Sequence, residues 1–130
     1  MDTFFDPTRK KHLKATPEEE VRQWVLQYLV AQNYPIAYIK TEVELQYGDF
    51  KKKADIVVYT KDIEIFMVIE CKAASIPLNN KHLQQVMNYA IALEAAYILL
   101  TNGKNTYIAS IDSEKKTLSY VKNLPLYPNL

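Results

Sequence analysis

Lys53-Ala54-Asp55-Ile56-Val57-Val58-Tyr59, the polar break Thr60-Lys61-Asp62, and the run from Ile63 to Ile69-Glu70-Cys71-Lys72 decide how this chain folds. Both apolar runs have strand character, and the break between them is short enough for a hairpin. The two strands are therefore expected as antiparallel neighbours. Residues two apart on a strand share a face. Glu70 and Lys72 then point one way and Cys71 the other. With Asp55 opposite them, three charged groups converge at one end of the hairpin, next to runs that should be buried. Charges in such a setting are rarely idle.

Two carboxylates and an ammonium in this arrangement suit metal-assisted phosphodiester hydrolysis. Mg²⁺ prefers hard oxygen ligands and takes one or two carboxylates plus water and substrate phosphate. Asp55 and Glu70 would supply the carboxylates and the Cys71 carbonyl a third oxygen. Lys72 would orient the attacking water or steady developing charge. The bland alternative is a salt-bridged rim on an exposed hairpin.

Outward from this stretch, Thr16-Pro17 opens a helix, with threonine as cap, proline in the first turn and Glu18 to Glu20 at the positive end of the dipole. Val21, Trp24, Val25, Tyr28 and Leu29 recur at helical spacing as its expected buried stripe, and the helix should end near Ala31. Residues 1–15 read as a basic arm carrying Arg9, Lys10, Lys11, His12 and Lys14. Ile36 to Gln46 alternates as an exposed or edge strand, and Gly48-Asp49 turns it back. Lys51, Lys52 and Lys53 could meet a phosphate backbone or serve as a soluble edge. Asn79 or Asn80 caps a second helix running to about Glu94, with Leu83, Val86, Met87, Ala90 and Leu93 as its apolar stripe. Strands follow at Ala95–Thr101, Asn105–Ile111 and Thr117–Val121, with a turn at Asn102-Gly103.

In order along the chain, Thr16-Pro17-Glu18-Glu19-Glu20-Val21-Arg22-Gln23, Asn33-Tyr34-Pro35, Asp55, Glu70-Cys71-Lys72, Gln85, Tyr89 and Thr101-Asn102-Gly103 resemble a known pattern. Asp55…Glu70-Cys71-Lys72 is similar to the signature of the PD-(D/E)XK nuclease superfamily, with Ala54 where proline is commoner. The series as a whole resembles the N-terminal nuclease domain of type I restriction enzyme R subunits, in a small stand-alone form. The resemblance covers nearly the whole chain from about Leu13. It implies an α/β fold with a restriction-endonuclease-like core: a mixed central sheet flanked by helices, in the order α-β-β-β-α-β, with extra C-terminal strands. Residues 16–130 would form that single domain.

The resemblance also implies a Mg²⁺-dependent DNA endonuclease, in which Mn²⁺ can substitute. Asp55, Glu70 and Lys72 are the expected catalytic residues, joined by Glu19 from the first helix, with Glu18 as its rival. Metal would sit on Asp55, Glu70 and the Cys71 carbonyl. Gln85 and Tyr89 match a Gln-x-x-x-Tyr motif facing the active site, with Gln85 on a base or backbone and Tyr89 on phosphate. Lys51, Lys52 and Lys53 complete the DNA-binding set. DNA is the expected partner, with other restriction or repair subunits and a second copy of the chain as further candidates. The alternative function is a non-cleaving nucleic-acid-binding or assembly module of a restriction, defence or repair system.

Composition narrows the classes. With 130 residues, 48% apolar and 24% charged, the chain is an ordinary globular domain. No apolar stretch is long enough to span a membrane, and Met1 to Asp6 lacks the regions of a signal peptide. One cysteine excludes an internal disulfide and a cysteine-based zinc cluster, which points to a reducing cytoplasm. A net charge of +1 leaves any DNA-binding surface local. His12 and His82 belong to no spaced metal cluster. Two glycines in all leave no phosphate-cradling loop for an ATP-driven motor within this chain.

Overall fold

The computed structural model describes residues 3–6, 8, 11–14 and 16–128. Six strands form one mixed sheet in the order β3 (Ile39–Tyr47), β4 (Phe50–Tyr59), β5 (Ile65–Cys71), β6 (Tyr97–Thr101), β7 (Thr106–Asp112), β8 (Thr117–Val121). β5 and β6 run parallel, and the other neighbours are antiparallel. The parallel pair exists because α2 (Asn80–Ala92) carries the chain back between them, a crossover that antiparallel hairpins do not need. The expected mixed sheet with helices on its faces is thus the observed architecture.

α1 (Pro17–Ala31) covers one face of the sheet. Thr16 caps it, its hydroxyl accepting the Glu19 N–H at 3.1 Å. Val21, Val25, Leu26 and Leu29 pack there against Ile56, Val58, Met67, Ile69 and Leu99. The stripe differs from the expected one. Arg22 and Leu26 take inward positions, while Trp24 is 45% exposed and stacks on Tyr28 with centroids 5.8 Å apart. Aromatic size favoured Trp24 in the sequence, but residues 22, 25, 26 and 29 share the face that meets the sheet. α2 covers the other face, where Val86, Tyr89 and Ala90 meet Ala54, Val57, Val68, Ile98 and Ala109. It stops at Ala92, two residues short of the expected Glu94, which has φ 56°.

The segment ahead of α1 is not a free arm. β1 (Thr3–Asp6) and β2 (Lys11–Lys14) pair as an antiparallel hairpin. Asp6 anchors it: the carboxylate is fully buried and accepts Gln23 Nε2 at 3.1 Å and the Thr8 N–H at 2.7 Å. Thr8 Oγ1 in turn lies 2.9 Å from Thr41 Oγ1 on β3. A basic run suggested solvent, but one aspartate with hydrogen-bonding partners on α1 docks the segment. Arg9 and Lys10 lie outside the described residues, and for Lys11, His12 and Lys14 only the backbone is described. The irregular C-terminal stretch is also tied down. Tyr34 donates to the Pro125 carbonyl at 2.5 Å and Tyr127 to the Tyr59 carbonyl at 2.8 Å.

β3 is an edge strand, as its charged residues suggested, but its alternation breaks at Glu42, where φ is 51°. Thr41 pairs with Ile56 and Val43 with Ala54 on either side of this point. Across it the faces exchange: Ile39 and Ile56 lie in the α1-side core, Leu45 and Ala54 in the α2-side core. A left-handed residue that is not glycine costs about 1–3 kcal/mol and persists where surrounding structure holds it. Asp55 sits at this reversal.

Cys71 points into the α1-side core, away from Glu70, as alternation required. Burial, then the nearby Asp55 carboxylate, push its thiol pKa well up. Cys71→Val should therefore cost less than about 1.5 kcal/mol in thermal or denaturant unfolding, an exchange of similar apolar volumes. The native thiol should resist a disulfide reagent until the chain unfolds.

Candidate active site

The β4–β5 register pairs Ile56 with Ile69, so Asp55 and Glu70 fall at the next level of the two strands. The reversal at Glu42 lets Asp55 reach two elements at once. Its Oδ1 accepts Arg22 Nη2 from α1 at 2.9 Å, and its Oδ2 accepts the Cys71 N–H from β5 at 2.7 Å. Normally that N–H would bond a β4 carbonyl; here a carboxylate takes its place. N–H and C=O of one strand residue point to the same edge, so the Cys71 carbonyl also faces the β4 side.

Glu70 is turned to the α2 face and only 8% exposed. Tyr89 of α2 donates its hydroxyl to Glu70 Oε1. Burial and the neighbouring Asp55 charge push the Glu70 pKa up to about 7, against the opposing pull of Tyr89 and Lys52. Tyr89 rises too, from burial and from Glu70. Lys52 sits with its ammonium 5.8 Å from the centre of the Tyr89 ring. Lys52, Glu70, Lys72, His82, Gln85 and Tyr89 line one small cleft against α2. The Lys72 backbone N–H is fixed by the Thr101 carbonyl of β6 at 2.9 Å. A concavity of about 850 Å³ lies away from these groups, around Asn88 to Glu94 and the β7–β8 turn.

Arg22 is the centre of the α1 side. It is 7% exposed and makes ion pairs with Glu19 at 2.5 Å, Asp55 at 2.9 Å, Glu18 at 3.3 Å and Glu42 at 3.6 Å. Burial alone would lower its pKa, but Asp55 and Glu19 outweigh that and hold it above the ordinary value. The two helix glutamates divide. Glu19 is buried and also accepts Gln23 Nε2 at 3.3 Å, on the side of Asp6. Glu18 is half exposed, and its pKa is raised by burial and then by Asp55, with Arg22 and Lys72 pulling it down.

The structure brings Asp55, Glu70 and Lys72 to one end of the sheet, with Gln85 and Tyr89 across from Glu70. Tyr89 is 2% exposed and donates to Glu70. The lysine run splits: Lys52 faces the cleft, whereas exposed Lys51 pairs with Glu44 at 3.1 Å and Lys53 lies opposite Glu44 in register. Sequence reading missed Arg22 as a binding hub, although its position three and four residues after two glutamates on a buried face was the available signal. His82, set aside as a metal ligand, lines the cleft with its Nδ1 buried and without a hydrogen-bond partner.

Among the described residues no group of three or more His, Cys, Asp or Glu side chains is placed to hold a metal. What is present is a pair of carboxylates, one of them with its pKa raised by burial and then by the other's charge, beside a backbone carbonyl. That set suits a hard divalent cation that brings its own water, rather than zinc.

Comparison with known proteins identifies the family. The profile for "Type I restriction enzyme R protein N terminus (HSDR_N)" matches residues 17–125, so the chain belongs to that family. The fold resembles a fragment assigned as an HsdR subunit of a type I restriction enzyme from Vibrio vulnificus YJ016 (20% identity, TM-score 0.59). The match covers 85% of this chain and 24% of the Vibrio chain, so this domain spans about a quarter of that protein. It also resembles a protein assigned as a nuclease of the DUF820 group from Anabaena variabilis ATCC 29413, with 10% identity and TM-score 0.52 over 83% of this chain and 71% of that one. No curated protein sequence matches the chain. Among the described residues no helix is long and apolar enough to cross a membrane.

The raised Glu70 pKa gives a measurable sign. Between its ordinary 4.5 and about 7, the folded chain keeps a proton that the unfolded chain has released. Stability then falls as pH rises through that window. Glu18, also raised, acts in the same direction. In chelator, the melting temperature should drop from about pH 5 to about pH 7, and Glu70→Gln should flatten the dependence.

Proposed function

We propose that this domain hydrolyses phosphodiester bonds of DNA as a Mg²⁺-dependent endonuclease. The observation that carries the reading is the juxtaposition of Asp55 and Glu70 at the same level of neighbouring strands, with the Glu70 pKa raised by burial and then by the Asp55 charge. Asp55, Glu70 and the Cys71 carbonyl would hold the cation, and Mn²⁺ would substitute for Mg²⁺. Such a cation supplies Lewis acidity at phosphate oxygens and lowers the pKa of bound water. Arg22 and the Cys71 N–H fix the Asp55 carboxylate in one orientation. Tyr89 does the same for Glu70. Lys72, anchored through its backbone to β6, supplies positive charge on the Glu70 side, where negative charge grows in the transition state. Gln85 and Lys52 line the same cleft and would hold the DNA backbone near the reacting phosphate.

One observation favours a second reading. Both Asp55 oxygens already accept hydrogen bonds, one from a guanidinium that neutralises the charge without any metal. A non-cleaving nucleic-acid-binding or assembly module would use the same residues as a structural ion-pair network. The proposed partners are DNA and other subunits of a restriction or repair system, with a second copy of the chain as a further candidate; the proposed compartment is the cytoplasm.

Asp55→Ala, Glu70→Ala and Lys72→Ala should each abolish cleavage of supercoiled, linear, single-stranded or branched DNA in Mg²⁺, with the fold retained by circular dichroism. Wild-type activity in any two of the three would remove the assignment. Collapse of the fold in all three would favour the ion-pair network.

A further inference from the structure

Two exposed tyrosines lie in line with the carboxylate pair. In register, Glu70 faces Leu100 on β6, and Leu100 faces Tyr107 on β7. Strands are about 4.8 Å apart, which puts the Tyr107 backbone about 10 Å from that of Glu70. Tyr120 on β8 lies opposite Ala109, two residues beyond Tyr107 on the same face. That face is the one α2 covers, since Ala109 belongs to the α2-side core. α2 begins beside the tyrosines rather than over them: Asn80 and Leu83 share a cavity of about 110 Å³ with both rings. The rings stand 6.2 Å apart at 54° and are 44% and 60% exposed. Single exposed aromatics are ordinary, but an adjacent pair flush with a catalytic carboxylate is a surface with a use.

Charge says what kind of partner fits. From Cys71 to Leu93 there is no acidic residue. Beyond Glu70 the acids are Glu94, Asp112 and Glu114, after the end of α2 and at the β7–β8 turn, the opposite end of the sheet. The catalytic end instead carries Lys72, Lys81 in the first turn of α2, Lys104 in the β6–β7 turn and Lys122 just after β8. An anionic polymer with flat apolar faces matches this surface. A duplex hides those faces in its own stack, whereas an unpaired strand offers them.

We propose that Tyr107 and Tyr120 form a stacking platform for unpaired nucleotides of the strand whose phosphodiester lies at Glu70, so that the domain's substrate is DNA with a single-stranded segment. This rests on the nuclease reading for the position of the reacting phosphate. The platform itself is tested by binding alone. The strand crosses from the carboxylates over Leu100 to the two rings, with Lys104 and Lys122 at its phosphates.

The test is fluorescence anisotropy of the full chain in EDTA, with a labelled oligothymidine and a duplex of equal length. Tyr107→Ala and Tyr120→Ala should each weaken oligothymidine binding by about 5- to 100-fold and duplex binding by less than about twofold. Tyr107→Phe and Tyr120→Phe keep the π-faces and should bind as wild type. Equal losses on both DNAs, or unchanged oligothymidine binding, would overturn the platform. So would alanine variants that alter only self-association in sedimentation, which would make the pair a protein interface. Tyrosine-dependent oligothymidine binding by a chain that cuts no DNA in Mg²⁺ would support the platform and sink the nuclease reading.

Discussion

The ion pair between Arg22 and Asp55 joins the first helix to the end of the sheet that carries Glu70 and Lys72. Asp55 could not make it from an ordinary strand, because alternation would turn the carboxylate to the α2 side with Val57. The left-handed Glu42 on the facing strand reverses that alternation, and Arg22 holds Glu42 at 3.6 Å as well. Strain on β3 and neutralisation by Arg22 are therefore parts of one arrangement. Removing one partner of this part-buried pair carries a penalty, because the charge left behind loses its counterion. The helix, the kinked edge strand and the central hairpin are held in register by that penalty.

On the other face, Tyr89 plays a complementary part for Glu70. The two carboxylates are thus gripped from opposite sides of the sheet, one by a cation from α1 and one by a neutral donor from α2. The asymmetry matters chemically. Asp55 is paired with the Arg22 guanidinium, while burial and then the Asp55 charge push Glu70 toward its acid form. Glu70 lies on the α2 side, where Lys52, Lys72 and Gln85 line the cleft. Tyr107 and Tyr120 extend the same face outward.

Much of this was readable from residues. Period-two alternation with a short polar break gave the β4–β5 hairpin. A capped helix between strands gave the parallel β5–β6 pair. Glu70 and Lys72, two apart, shared a face as strand geometry demands. What could not be read was whatever depends on a single backbone torsion or on a contact between distant segments. Nothing local marks Glu42 as left-handed, so the reversal that aims Asp55 was hidden. Arg22 shows its four carboxylate partners only once the sheet lies beside α1. Asp6 gave no hint of burial, since its partners Gln23 and Thr8 act only once the hairpin docks. The choice between Glu18 and Glu19 likewise turns on which way α1 rolls against the sheet, a packing outcome rather than a pattern.

The central claim is that Asp55 and Glu70 form a site short of positive charge that a divalent cation completes. Calorimetric titration with Mn²⁺ near pH 6.5, repeated in buffers of different ionisation enthalpy, tests it most directly, because a cation that displaces the Glu70 proton must release it to the buffer. The account predicts saturable binding with proton release in the wild type, lost in Glu70→Gln and in Asp55→Asn. Binding of undiminished strength in both variants, or no binding by a folded wild-type chain, would contradict it.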